Sequence, residues 1–176
     1  MEQSFTNDII DTTALPRFEE VQLTPVHKSY WRVVVLNIVV IYLILGIGAG
    51  LLLYFTEDTT RTIVISVIAG FIVLVALTFL ISRISFKNKG FVFRAHDVIY
   101  RSGAIAITTT IIPYNRVQHA ALNEGWYSRR LGLAEVAIFT AGGSGSDIKI
   151  PGIEKEHAEN IKQLLVGKIL KQDTDE

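Results

Sequence analysis

The stretch whose residue types come nearest to reactive chemistry is Gly142-Gly143-Ser144-Gly145-Ser146. A serine set between glycines can sit on a nucleophile elbow, and a glycine-rich turn can cradle a phosphate. Neither pattern is complete here. The Gly-x-Ser-x-Gly spacing fails at its last position, and no Gly-Lys-Ser/Thr follows. A hairpin turn between two strands accounts for the segment. Four histidines stand at 27, 96, 119 and 157, widely spaced. Glu156-His157 lacks the second histidine of a zincin pair, and His96 with His119 has no placed carboxylate to complete a metal site. Asp97, Glu124 and Glu135 show no pairing that would set up general acid–base work. There is no cysteine, which excludes disulfides and thiolate chemistry. The chain reads as non-enzymatic, with no cofactor.

The basic residues carry more. Lys87 and Lys89 follow the second of two long apolar runs, and Arg94, Arg101, Arg116, Arg129 and Arg130 come after them. A Lys or Arg beside an anionic leaflet contributes on the order of 1 kcal/mol to its attraction. Lys87 and Lys89 are placed for that, and also to fix topology. Trp126-Tyr127 next to Arg129-Arg130, on what reads as a loop, is the candidate contact surface for a partner or a lipid, because aromatic and Arg side chains serve as interface anchors.

The elements that must position these residues begin with the apolar runs, 33–55 and 62–81, neither of which contains a charge. Each is about the length that a helix needs to cross a bilayer. A short polar stretch, 56–61, joins them into a helical hairpin that returns both chain ends to one side. The runs account for a chain that is 49% hydrophobic and 19% charged over 176 residues, where a soluble domain has about 25% charged. The first run is too long and starts too late for a signal peptide, so it reads as a permanent span. Lys28, Arg32, Arg83, Lys87 and Lys89 flank the open end, against Arg61 with Glu57 and Asp58 at the turn. Positive charge is retained in the cytoplasm, so both termini are expected there, in a multi-pass plasma-membrane protein. Thr24-Pro25 resembles an N-cap followed by proline at the first helical position, which starts the helix at about Pro25.

Within the spans, Gly46 and Gly50 form one small-residue pair at helical spacing, and Ser66 and Gly70 form another. Such pairs let helices approach closely. They fit either packing of the hairpin on itself or a homo-oligomer face. Asn37 is the one amide in the spans. No ionisable side chain lies in them, which argues against a pump or ion-coupled transporter.

The remaining half divides simply. Residues 1–24 form an N-terminal tail, 25–82 an interfacial segment with the hairpin, 84–170 one small domain and 171–176 a polar tail. The domain holds about eleven Lys and Arg against about seven Asp and Glu, too weak a bias to suggest nucleic acid. From Phe86 the pattern turns strand-like: Phe91-Val92-Phe93-Arg94, Val98-Ile99-Tyr100-Arg101, 105–110 running on to Ile112, 116–122, 134–140 and Ile148-Lys149-Ile150. After Pro151-Gly152 the period is helical. Ala158, Ile161, Leu165 and Ile169 share a face with Leu164 beside it, and Glu154, Lys155, Glu159 and Lys162 face out.

Five motifs in order carry a resemblance: Asp97-Val-Ile-Tyr-Arg101-Ser-Gly103, Ile112-Pro113-Tyr-Asn-Arg116-Val-Gln118, Arg130-Leu-Gly132-Leu-Ala134, Thr140-Ala-Gly-Gly143 and Ile150-Pro-Gly152-Ile. With the preceding hairpin they resemble the bacterial pleckstrin-homology-like membrane proteins of the YdbS type. The resemblance implies a PH-like fold, a curved antiparallel sandwich or partial barrel capped by a C-terminal helix. It implies a bacterial plasma-membrane location and a partner such as a larger relative carrying several copies of the domain. It further implies a binding and assembly role in a membrane complex, in envelope maintenance or stress tolerance. The alternative is anionic-lipid recognition at the inner leaflet. The family offers no catalytic residues to carry over.

Overall fold

The computed structural model describes residues 20–56, 60–141 and 148–175, with side chains up to Ile169. The Gly-Ser turn at 142–147 and most of the N-terminal tail therefore lie outside the described residues.

Two long helices form the hairpin, α1 (Tyr30–Phe55) and α2 (Arg61–Asn88). Both are long and apolar enough to cross a membrane, and almost none of their residues is buried within the protein. Their pairing uses a few specific contacts. Tyr42 Oη and Thr78 Oγ1 are hydrogen-bonded at 2.6 Å, and Tyr42 also donates to the Leu74 carbonyl. The Phe71 ring meets Tyr42 edge-on and lies 3.5 Å from where a Cβ on Gly46 would stand. Gly46 thus serves the hairpin's own packing. Gly50 and Gly70 face open space and Ser66 is exposed, so the two small-residue pairs do not pack against each other.

The domain is built from two antiparallel sheets. The first has the order β1 (Thr24–Pro25), β2 (Gly90–Phe93), β3 (Asp97–Ser102), β4 (Thr108–Pro113). A short 3-10 turn (Tyr114–Arg116) leads to the second, β5 (Val117–Asn123), β6 (Leu133–Thr140), β7 (Ile148–Glu154). Helix α3 (Trp126–Arg130) interrupts the β5–β6 connection, and α4 (Lys155–Asp175) closes the chain. The core draws on both sheets and the last helix: Phe91, Val98 and Ile112 from the first, Val136, Ile138 and Ile150 from the second, Ala158, Ile161 and Leu165 from α4. A small sheet with one apolar face needs such a cover.

Four expectations are corrected. Thr24-Pro25 does not open a helix. Thr24 pairs with Phe91 and Pro25 with Gly90, making an edge strand where proline's missing N–H removes no ladder bond. Helix α2 runs past Phe86 to Asn88, so only Lys89 separates it from β2. Residues 105–107, expected to be strand, belong to a turn, because Gly103 at φ +125° folds back onto Ala106. Helix α4 continues to Asp175, beyond the expected tail boundary.

Candidate functional site

Where the hairpin meets the domain, three elements converge. β1 pairs to β2 just before α1 begins, and α2 leads into β2 through one residue. β7 contributes the third. Between Ala134↔Ile153 and Val136↔Ile150 the β6–β7 register gains a residue on β7, a bulge at Pro151-Gly152. Gly152 takes φ +69°, as bulges of this kind require. Its carbonyl accepts the His27 N–H at 2.8 Å, and Tyr30 packs directly on its Cα side. His27 Nε2 also reaches Glu154 at 3.3 Å. On the other side, Trp31 packs edge-on to Phe79, near Phe86, with the Arg83 guanidinium 4.8 Å over its ring.

Beside this joint lies a half-open cleft of about 510 Å³. One wall is α1, through Val33, Leu36, Asn37 and Val40; the other is β5, α3 and β6, through Asn123, Trp126, Ser128 and Glu135. Asn123 donates to Glu135 Oε1 at 3.4 Å. Among the described residues the Asn37 side chain has no hydrogen-bond partner. Lys89 holds its ammonium 5.5 Å over the ring of Tyr30, which lines the cleft. Burial holds the Lys89 ammonium below its ordinary pKa, and the Glu135 carboxylate opposes that shift. Burial likewise pushes the Tyr100 phenol up to about 12.

Of the candidate contact residues, Trp126, Tyr127, Arg129 and Arg130 lie on the single turn of α3, where the sequence suggested a loop. Trp126 is 66% exposed, with the Arg130 guanidinium 4.6 Å over its ring and Tyr127 alongside. Gly125 and Leu131 bound this single turn, and Gly132 at φ +66° returns the chain to β6. The other arginines do not join it. Arg94 is held by a two-point ion pair to Asp97 in the β2–β3 turn. Lys87, Lys89 and Arg101 line a separate small cleft of about 190 Å³ with Leu23, Pro25, Asn88 and Gly90. His119 is stacked on Phe139 at 4.2 Å and His157 lies near Phe91, both on the exposed surface. Sequence reading missed Glu135 and Asn37 as partners in one cleft, and missed the exposed turn at Ile105. An acid among apolar strand residues, and an isolated amide in a span, were the available signals.

Two apolar helices leading without a linker into a two-sheet, helix-capped domain define a membrane protein with a PH-like domain. The profile of the family described as Bacterial PH domain matches residues 33–168, and the chain belongs to that family. It is also similar to the UPF0699 transmembrane protein YdbS of Bacillus subtilis (strain 168), with 27% identity over 144 residues, covering 80% of this chain and 87% of that protein. No solved structure matches the chain.

Proposed function

We propose that the protein is a non-catalytic assembly module that engages a second membrane protein through the cleft between α1 and the β5–α3–β6 segment. The observation that carries this reading is Asn37. It is an amide near the domain end of a span, open to a cleft that the half-buried Glu135 also lines. Polar side chains at membrane depth gain by bonding to a neighbouring helix. The rigid joint supports the same reading, since a surface fixed in one orientation and confined to one membrane meets partners at high effective concentration. The partner expected is a larger relative with repeated PH-like domains. The positive charges at the domain end of the hairpin support cytoplasmic termini.

The test is a mild-detergent pull-down of the full chain with mass spectrometry, beside Asn37→Leu with Glu135→Gln. A stoichiometric membrane partner lost from the double variant supports the proposal. Recovery of the protein alone, or of a partner insensitive to both changes, counts against it.

A second reading, anionic-lipid recognition, is favoured by the small cleft of Lys87, Lys89 and Arg101, whose lining includes no carboxylate. It requires phosphatidylglycerol to co-purify with the protein and to be lost with Lys87→Gln and Arg101→Gln.

A further inference from the structure

We infer that the domain itself is seated in the bilayer surface through two tips, the apolar 103–107 turn and the aromatic and basic α3 helix, on the side where the hairpin leaves it. This inference goes beyond the assembly reading and needs no partner.

The first tip follows from strand direction. β2 starts at Gly90, immediately after α2, and runs away from the hairpin. β3 is antiparallel to it and returns, with Arg101 opposite Gly90. The turn after β3 therefore projects beside the last turns of α2, where Asn88 Nδ2 donates to the Gly103 carbonyl at 3.1 Å. The turn reads Gly103-Ala104-Ile105-Ala106-Ile107 and has no charge. Ile105 is 91% exposed, and Ile107 is exposed beside it. A turn made of isoleucine and alanine is unusual at a water-facing loop, where Gly, Asn, Asp and Ser supply the chain reversal. Here one glycine makes the reversal and the rest is apolar.

The second tip follows from depth. A hydrocarbon core of about 30 Å takes roughly 20 helical residues. Counted back from Phe55 at the turn end of α1, these reach Leu36. Any tilt lengthens the path and moves the boundary closer to Tyr30. Leu36, Asn37 and Val40, which form the α1 wall of the cleft, thus lie at or inside the boundary, and Trp126 lines the same cleft. An exposed Trp on that cleft, with Tyr127 beside it and Arg130 over its ring, has the composition that favours the headgroup layer. The bilayer is the occupant that both tips fit, because both lie at the end of the domain from which helices long enough to cross a membrane emerge.

The chain makes the test direct, having no cysteine and two tryptophans. Ile105→Cys carries an environment-sensitive fluorophore, with Leu164→Cys on α4 as the water-facing control. Trp126 is read in Trp31→Phe, or, where that variant does not fold, as the difference between wild type and Trp126→Phe. The purified full chain is reconstituted in phosphatidylethanolamine–phosphatidylglycerol vesicles. The expected result at both tips is a blue-shifted emission, loss of signal with lipids brominated on their acyl chains, and protection from aqueous iodide. The Leu164 label shows the reverse. Quenching of either tip by iodide and not by brominated lipid overturns the inference. Shielding from both quenchers overturns it too, because it marks a protein contact.

Discussion

Tyr30 occupies the space that a side chain at Gly152 would need: a Cβ there would stand 2.6 Å from both Cβ and Cγ of Tyr30. One residue opens the first membrane helix and the other sits in the β7 bulge, so this contact joins hairpin to sheet. Gly152→Ala should cost about 2–4 kcal/mol, combining left-handed backbone strain with overlap that the neighbours cannot relieve. Gly132→Ala, at a similar φ but with nothing within 4 Å, should cost only about 1 kcal/mol. Unfolding of the detergent-solubilised variants measures the difference, which is the share of the Tyr30 contact. Equal costs would remove that contact from the account.

The Tyr42–Thr78 hydrogen bond predicts a measurable coupling inside the hairpin. A double-mutant cycle of Tyr42→Phe and Thr78→Val should return about 0.6 kcal/mol, the usual size for such bonds in membranes. Denaturant titration in mixed micelles reads it, and additive single effects would refute it.

Leu165 and Leu164 are adjacent on α4 and should behave oppositely. Leu165 is fully buried, so Leu165→Ala should cost about 2–5 kcal/mol. Leu164 is 43% exposed, so Leu164→Ala should change stability by less than about 0.5 kcal/mol. Thermal unfolding distinguishes them.

Tyr100 sets an alkaline limit. Burial is the main cause of its rise from 10.0 to about 12, with the nearby Tyr30 and Glu135 charges adding to it and the Ser102 hydrogen bond opposing. In that window the unfolded chain has released a proton that the folded chain keeps. Tyr100's contribution is therefore complete below pH 10.0 and is lost as pH rises through about 12. Ultraviolet titration should show a late phenol that Tyr100→Phe removes, along with part of the alkaline loss of stability.

What could be read from the sequence was what local composition encodes. The charge-free runs yield both helices, β-branched stretches yield most strands, and the spacing of Ala158, Ile161 and Leu165 yields the buried face of α4. The rest depends on partners distant in the chain. Thr24-Pro25 becomes a strand only because Gly90 and Phe91 pair with it. Phe86 and Lys87 stay helical because α2 is already propagating and Tyr30 and Trp31 pack on its last turns. Trp126 and Arg130 stood out by residue type. Their cleft did not, since its opposite wall comes from Asn37 on α1, far away in the chain. The Ile105 turn was hidden by its own composition, because isoleucines in a row look like strand until Gly103 is seen to reverse the chain.

Asn88 ends α2 and Gly90 begins β2, with Lys89 alone between them. A joint so short has no slack, and the helix becomes an axle to which the sheet is keyed. An α-helix turns about 100° per residue. One helical residue inserted before Asn88 would swing the sheet through about that angle, pull Tyr30 off Gly152 and lift one tip clear of the lipid. The compass bearing of the whole domain over the bilayer is thus written in the length of the chain at one position.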